Sequence, residues 1–154
     1  NAVIADVLSL LEHQLQASRI TIRRELSDVP VLVTAIENQL QQVFLNLFLN
    51  ARDAMPRGGW LSVTSRADGR HAFAEVADTG SGIPPEHLAR IYDPFFTTKA
   101  IGRGTGLGLS ISYGIVHEHG GAIRCDSAVG QGTRFTVMLP TAAEPAQSAG
   151  AQGR

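Results

Sequence analysis

The chain has 154 residues, of which 44% are hydrophobic and 18% charged, and its formal net charge is -1. That length suits one domain with a sizeable core. The near-neutral balance, with no densely basic stretch, argues against nucleic acid or an anionic membrane as the main partner, and no apolar run reaches the ~18 residues of a membrane-spanning helix.

In chain order, Ile4, Leu8, Leu11 and Leu15 recur at helical spacing and predict an amphipathic helix. Ile20, Ile22 and Leu26 then alternate with polar residues and predict a strand, and Val31-Leu32-Val33 after Pro30 predicts a short second one. Thr34 and Glu37 have capping-box spacing, so a long helix is expected to start there and run to about Met55. Pro56-Arg57-Gly58-Gly59 ends it. Leu61 and Val63 open an alternating strand, Asp68-Gly69 signals a hairpin, and Ala72, Ala74 and Val76 form the return strand. Asp78 shares the parity of Val76, which places it on the core side at the strand's end.

Pro84-Pro85-Glu86 starts a short helix with Leu88 and Ile91 turned inward. The span from Asp93 to Thr105 has no periodicity and reads as a mobile loop. Leu107, Ile111 and Ile115 mark another helix, stopped by Gly120-Gly121. Two final strands, through Cys125 and through Phe135–Leu139, are joined by a turn at Gly130-Gln131-Gly132. Cys125, the only cysteine, is a small core residue on this pattern rather than a reactive thiol. The domain is expected over 1–140. The Ala-, Gln-, Ser- and Gly-rich residues 141–154 lack the apolar surface to order themselves. The expected fold is a two-layer α+β sandwich: one mixed, largely antiparallel sheet with helices packed on one face.

Four strings carry chemistry: Asn46 to Ala54, Asp78-Thr79-Gly80-Ser81-Gly82-Ile83, Asp93 to Lys99, and Gly102-Arg103-Gly104-Thr105-Gly106-Leu107-Gly108. On the long helix Gln39, Gln42, Asn46, Asn50 and Asp53 form one stripe amid apolar residues. Its asparagines either satisfy nearby backbone or offer a hard oxygen; Asn50 could supply the one protein ligand that Mg²⁺ often takes beside phosphate and water. Asp78 either makes an Asx turn or accepts from the exocyclic amine of adenine, with Gly80 and Gly82 letting backbone approach a flat base. Gly104, Gly106 and Gly108 lead into a helix N-terminus, which suits a polyphosphate; Lys99 and Arg103 are either cationic contacts to it or solvated loop charges. Phe95 and Phe96 read as anchors of the loop. In order, the four strings describe an ATP pocket. The glycine spacing fits neither a P-loop nor a dinucleotide-binding fingerprint.

These strings are similar to the N, G1, F and G2 boxes of the ATPase domain of bacterial sensor histidine kinases, a superfamily shared with gyrase, heat-shock and mismatch-repair ATPases. Gln42-Val43, His119-Gly120-Gly121 and Gly130-Gln131-Gly132-Thr133 extend the resemblance over about Val3 to Pro140, and the spelling Asp93-Pro94-Phe95-Phe96-Thr97-Thr98-Lys99 resembles the nitrogen-regulation type. The resemblance implies the Bergerat-type ATP-binding fold, with ATP and Mg²⁺ as ligands. Asn50 would hold the metal and Asp78 the adenine amine. Asp53, Gly80, Gly82, Ile83 and Thr133 would lie about the nucleotide. Lys99, Arg103, Gly104, Thr105, Gly106, Leu107 and Gly108 would belong to the lid over it.

Asn46 stands where hydrolysing relatives carry a glutamate. Asn cannot act as a general base, so Asn46, with Lys99, implies phosphoryl transfer rather than hydrolysis. None of His13, His71, His87, His117 and His119 sits in the setting of a phosphoacceptor. The acceptor would then belong to a dimerisation domain outside this chain, which opens at Asn1 and reads as part of something longer. A response-regulator receiver domain is the expected further partner. The implied setting is the cytoplasm, as a free protein or as the cytoplasmic part of a membrane-anchored sensor, with no direct membrane contact by this segment. An anti-sigma-type serine kinase and a non-catalytic nucleotide-binding module are the alternatives.

Overall fold

The computed structural model describes residues 1–97 and 107–142. Its elements are α1 (Ala2–Ala17), β1 (Ile20–Glu25), α2 (Glu37–Ala54), β2 (Gly59–Ala67), β3 (His71–Asp78), α3 (Pro85–Leu88), α4 (Gly108–Glu118), β4 (Ala122–Ala128) and β5 (Gly132–Pro140). They form the expected sandwich. The five-stranded sheet has the order β1-β2-β3-β5-β4, with β1 parallel to β2 and every other pair antiparallel.

The core lies between the helices and one face of this sheet. α1 contributes Ile4, Val7, Leu8, Leu11 and Leu15, and α2 contributes Leu40, Val43, Phe44, Leu47, Phe48 and Ala51. Leu61, Val63, Val76, Phe135 and Val137 meet them from the strands. Truncating a fully buried ring such as Phe48 to alanine costs about 3–5 kcal/mol in cores of this density. The other sheet face carries polar and amphipathic side chains: the guanidinium of Arg23 lies 4.8 Å over the Trp60 ring, and that of Arg66 lies 4.0 Å over Phe73.

Two local expectations fail. Residues 31–33 are not a strand. Pro30 has no N–H to give a ladder, and Leu32 is exposed; its carbonyl takes the Ala142 N–H at 2.7 Å instead. The capping box is not used either, because α2 starts at Glu37 and leaves Thr34 two positions outside the N-cap. The N-cap residue is Ile36, which has no capping oxygen. A histidine ring stands in nearby: Ile36 N donates to His119 Nε2 at 3.1 Å, while His119 Nδ1 lies 2.7 Å from the Ile115 carbonyl. This fixes His119 as the neutral Nδ1–H tautomer, tying the end of α4 to the start of α2.

The chain is fastened two residues beyond Pro140. Thr141 N donates to Arg70 O at 2.9 Å and Thr141 Oγ1 to Gly69 O at 3.0 Å. The rest of the expected tail, from 143 on, lies outside the described residues. Among the described residues no helix is long and apolar enough to cross a membrane.

Candidate active site

Three pieces of chain converge beside the C-terminal half of α2. The first is the turn after β3. Asp78 is buried, with 8% of its surface exposed, and its Oδ1 accepts the Gly80 N–H at 2.9 Å and the Thr133 N–H at 3.2 Å. The Asx-turn bond is therefore present, but it uses one oxygen. Among the described residues no hydrogen bond reaches Oδ2. Burial holds the Asp78 carboxyl above its usual range, and the two amide bonds oppose that rise without cancelling it.

The turn is welded to α2. Ser81 N donates to Ala54 O at 3.0 Å, and Thr79 Oγ1 receives the Trp60 N–H at 3.0 Å and contacts Met55 Sδ at 3.6 Å. Here the structure supplies its own reason for the glycines. A Cβ on Gly80 would run into the Ala54 carbonyl, and one on Gly82, where φ is +77°, would run into the Ala128 carbonyl. Both glycines are required by close passage of the protein's own backbone.

The second piece is the N-terminus of α4. Asn46 Nδ2 donates to Gly108 O at 3.0 Å and to Ser112 Oγ at 3.1 Å, while its Oδ1 accepts from Gln42 Nε2 at 3.0 Å. Its amide is thus spent on joining α2 to the first turn of α4. No side chain caps that turn, so its first amide groups lack intrahelical partners and point out of the helix. Leu107 is the N-cap, and its carbonyl accepts from Ser110 Oγ at 2.9 Å and Ile111 N at 2.9 Å.

Asn50 lies between these two pieces. It is one helical turn past Asn46 and one before Ala54, about 6 Å along the axis from each. It is half-buried, and no hydrogen bond from the described residues reaches its side chain. Asp53, the next residue of the stripe, pairs with Arg52 at 3.1 Å, and Arg52 also reaches Gln14 Oε1 at 2.9 Å.

The third piece is the β4–β5 hairpin, whose strand β4 carries a residue that reading the sequence missed. Ser127 Oγ receives the Ile83 N–H at 2.8 Å, donates to Gly132 O at 2.9 Å and meets Thr133 Oγ1 at 2.8 Å. Its signal was the hairpin register, which sets Ser127 opposite Thr133. Asp78, Ser127, Gly132 and Thr133 line one open cavity of about 340 Å³. A more apolar cavity of about 270 Å³ lies at the other end of α2, between Ala2, Leu32, Leu40 and Phe44. It contains neither Asp78 nor the α4 N-terminus and is separate from this site.

Phe95 and Phe96 part company. Phe96 anchors, with its ring 5.4 Å from His87 and Arg90 4.6 Å over its face. Phe95 is 73% exposed at φ +68°, so the expected anchor role does not hold for it. Cys125 is half-buried against the core, its thiol pushed up to about 12 by burial first and then by Asp126 and Asp78. That makes it a poor nucleophile, as expected. Lys99, Arg103, Gly104, Thr105 and Gly106 lie outside the described residues.

Residues 35–143 match the family model described as histidine kinase-, DNA gyrase B- and HSP90-like ATPase. The chain belongs to this ATPase family. Within it, the chain is similar to sensor kinase CckA of Brucella abortus, 46% identical over 123 residues that make up 70% of this chain and 13% of CckA. It is 38% identical to sporulation kinase C of Bacillus subtilis over 141 residues, 91% of this chain and 32% of that protein. The chain thus spans about a third or less of these curated relatives. Among solved structures, the catalytic domain of histidine kinase ThkA superposes with a TM-score of 0.82 at 33% identity, covering 91% of this chain and 92% of that one. Full-length ShkA in complex with AMPPNP gives 0.81 at 32% identity, covering 99% and 33%. ThkA in complex with the response regulator TrrA gives 0.79 at 31%, covering 92% and 40%. This histidine kinase-like ATPase domain is therefore homologous, over nearly its whole length, to the catalytic domain of bacterial sensor kinases, and it has their ATP-binding fold.

Proposed function

We propose that the domain binds ATP with Mg²⁺ and transfers the γ-phosphoryl group to a histidine on a separate dimerisation domain. The observation that carries the nucleotide reading is Asp78, a residue of the cavity lining: one carboxylate oxygen is pinned by two backbone amides, and no hydrogen bond from the described residues reaches the other. An open carboxylate oxygen of this kind accepts from the adenine amine. Thr133 and Ile83 flank it, and Gly80 and Gly82 shape the turn that holds it. The first turn of α4, which opens at Gly108 and which no described side chain caps, suits the phosphates. Lys99, Arg103, Gly104, Thr105 and Gly106 would complete that contact from the lid.

The residues present fit Mg²⁺. Among the described residues no three of His, Cys, Asp and Glu converge on one point, and Asn50 presents an uncommitted amide oxygen beside the α4 terminus. A single protein oxygen is what Mg²⁺ takes when phosphates and water supply the rest, and Asp53 lies within one turn of it. When bound, the ion neutralises charge on the phosphates. Asn46 has no basic group, and its amide is occupied three times over, so the site holds no residue there to activate water. Its part is to fix the helix terminus, so the protein contributes position and charge rather than covalent chemistry.

The implied partners are a dimerisation domain bearing the acceptor histidine and then a receiver domain of a response regulator. The ThkA–TrrA complex supports this as the habit of a relative. The implied setting is the cytoplasmic side of a sensor. The folded unit is residues 1–140, with Thr141 and Ala142 fastened to it by the hydrogen bonds described above.

The test is transfer of label from γ-labelled ATP to a sensor-kinase dimerisation domain added in trans. The expected product is acid-labile and alkali-stable, as a phosphohistidine is, and it requires Mg²⁺; Asn50→Ala should abolish the metal dependence of binding. An acid-stable product would point to serine and overturn the histidine assignment. A fast ATPase rate from the domain alone would overturn the transfer reading.

A further inference from the structure

The hydroxyl network behind Asp78 has only one consistent arrangement of protons. Ser127 Oγ carries one hydrogen and two lone pairs. The Ile83 N–H, at 2.8 Å, fills one lone pair. The Gly132 carbonyl, at 2.9 Å, can only accept, so it takes the Ser127 hydrogen. The 2.8 Å contact between Ser127 Oγ and Thr133 Oγ1 must then run on the hydrogen of Thr133. The Thr133 proton is turned toward Ser127, and among the described residues nothing donates to the lone pairs of Thr133 Oγ1.

Thr133 is the register partner of Asp78, and both line the same cavity. Together they present two acceptors and no hydroxyl donor: Asp78 Oδ2 and Thr133 Oγ1. A ligand nitrogen carrying two hydrogens matches that pair. A carbonyl in the same place meets lone pairs on both sides, and a site that offers only acceptors disfavours a group that cannot donate.

We propose that Ser127 is a specificity-determining positioning residue: by holding the Thr133 proton away, it makes the pocket read a 6-amino purine over a 6-oxo purine. This rests on the adenine reading of Asp78 above. Although Ser127 lines the same cavity, its own hydrogen is committed to the Gly132 carbonyl, and it acts through Thr133. Without it, the Thr133 hydroxyl is free to turn and donate to a 6-oxo group.

The experiment is calorimetric titration of the domain and of Ser127→Ala with Mg·ATP and with Mg·ITP, which carries a carbonyl in place of the amine. Each protein's melting transition is recorded alongside. The wild type should prefer ATP. In Ser127→Ala the ATP-to-ITP affinity ratio should fall about tenfold, the scale of one hydrogen bond's reversal. If both affinities drop in proportion and the ratio stands, Ser127 is only structural and the inference is overturned. If the wild type binds ATP and ITP equally, or neither, the adenine reading itself fails and takes the inference with it. Should Ser127→Ala not fold, Ser127→Cys replaces it. Its thiol keeps the size but is a poor hydrogen-bonding group, so the same fall in ratio is expected, and an unchanged ratio is equally fatal.

Discussion

Replacing Asp78 with asparagine separates what this residue does for the ligand from what it does for the fold. Asparagine is the same shape. Its amide oxygen can take the place of Oδ1 and keep the Gly80 and Thr133 N–H bonds of 2.9 and 3.2 Å. Its NH₂ then occupies the place of Oδ2, so an acceptor facing the cavity becomes a donor facing a donor. The loss is that of a hydrogen bond to a charged group, about 1.5–3 kcal/mol, or roughly 10- to 150-fold in ATP affinity. Stability should move the other way. Burial raises the Asp78 pKa above the usual carboxylate range, so the folded state holds that proton more tightly than the unfolded chain. Its favourable contribution is complete below the ordinary carboxylate pKa and is lost as the pH rises through the raised folded value. At neutral pH the buried carboxylate is a cost that Asp78→Asn removes. Urea unfolding should show the variant no less stable than wild type at pH 7, with any advantage shrinking toward acid. Calorimetry with Mg·ATP supplies the affinity. An unchanged affinity refutes the adenine assignment. A variant that loses stability at neutral pH in step with affinity refutes the division of labour between the two oxygens.

Two further substitutions probe the α2–α4 joint. Asn46→Asp replaces the donor to Gly108 O with a second acceptor, and urea unfolding should show a loss of about 1–3 kcal/mol; unchanged stability would mean that the joint contributes nothing. Gly108→Ala is sterically admissible, since its Cβ would meet Asn46 Cγ at 3.7 Å, an ordinary contact. The ligand-free domain should be unchanged or up to about 1 kcal/mol more stable, helix propensity favouring alanine. ATP affinity should fall if phosphates rest on this turn, and an affinity equal to wild type would remove the α4 terminus from the phosphate site.

The sheet and the helices α1 and α2 were legible because each has a clean apolar period over many residues; α4 was found from Leu107, Ile111 and Ile115, although Ile111 is exposed and the stripe it buries is Ser112 and Val116. Asp78 was placed correctly by parity alone, since a strand leaves no choice of face once Val76 is buried. What escaped was whatever depends on a partner distant in sequence. Thr34 and Glu37 have a capping box's spacing, yet the side chain that meets the start of α2 is His119, on the Ile36 N–H, which no local pattern could supply. Residues 31–33 have a strand's composition, but the bond Leu32 makes is to Ala142, beyond the last residue of β5. Ser127 belongs to no motif; its value lies in facing Thr133 and Ile83 together. The Gly80 and Gly82 positions were recognised, but the atoms that demand glycine there are the carbonyls of Ala54 and Ala128, visible only once the chain is folded.

The strand order has a consequence for how the domain is made. β5 is the last strand among the described residues, yet it sits between β3 and β4 and closes the middle of the sheet. Its pairing with β3 joins residues as far apart as His71 and Pro140. On a ribosome, β3 must therefore wait with one edge bare until nearly the whole domain has emerged. During that interval Asp78 lacks the amide of Thr133 and the wall it supplies. Nucleotide binding should switch on abruptly as β5 docks rather than build up with length, and the same waiting edge is where a stalled nascent chain is most open to mispairing.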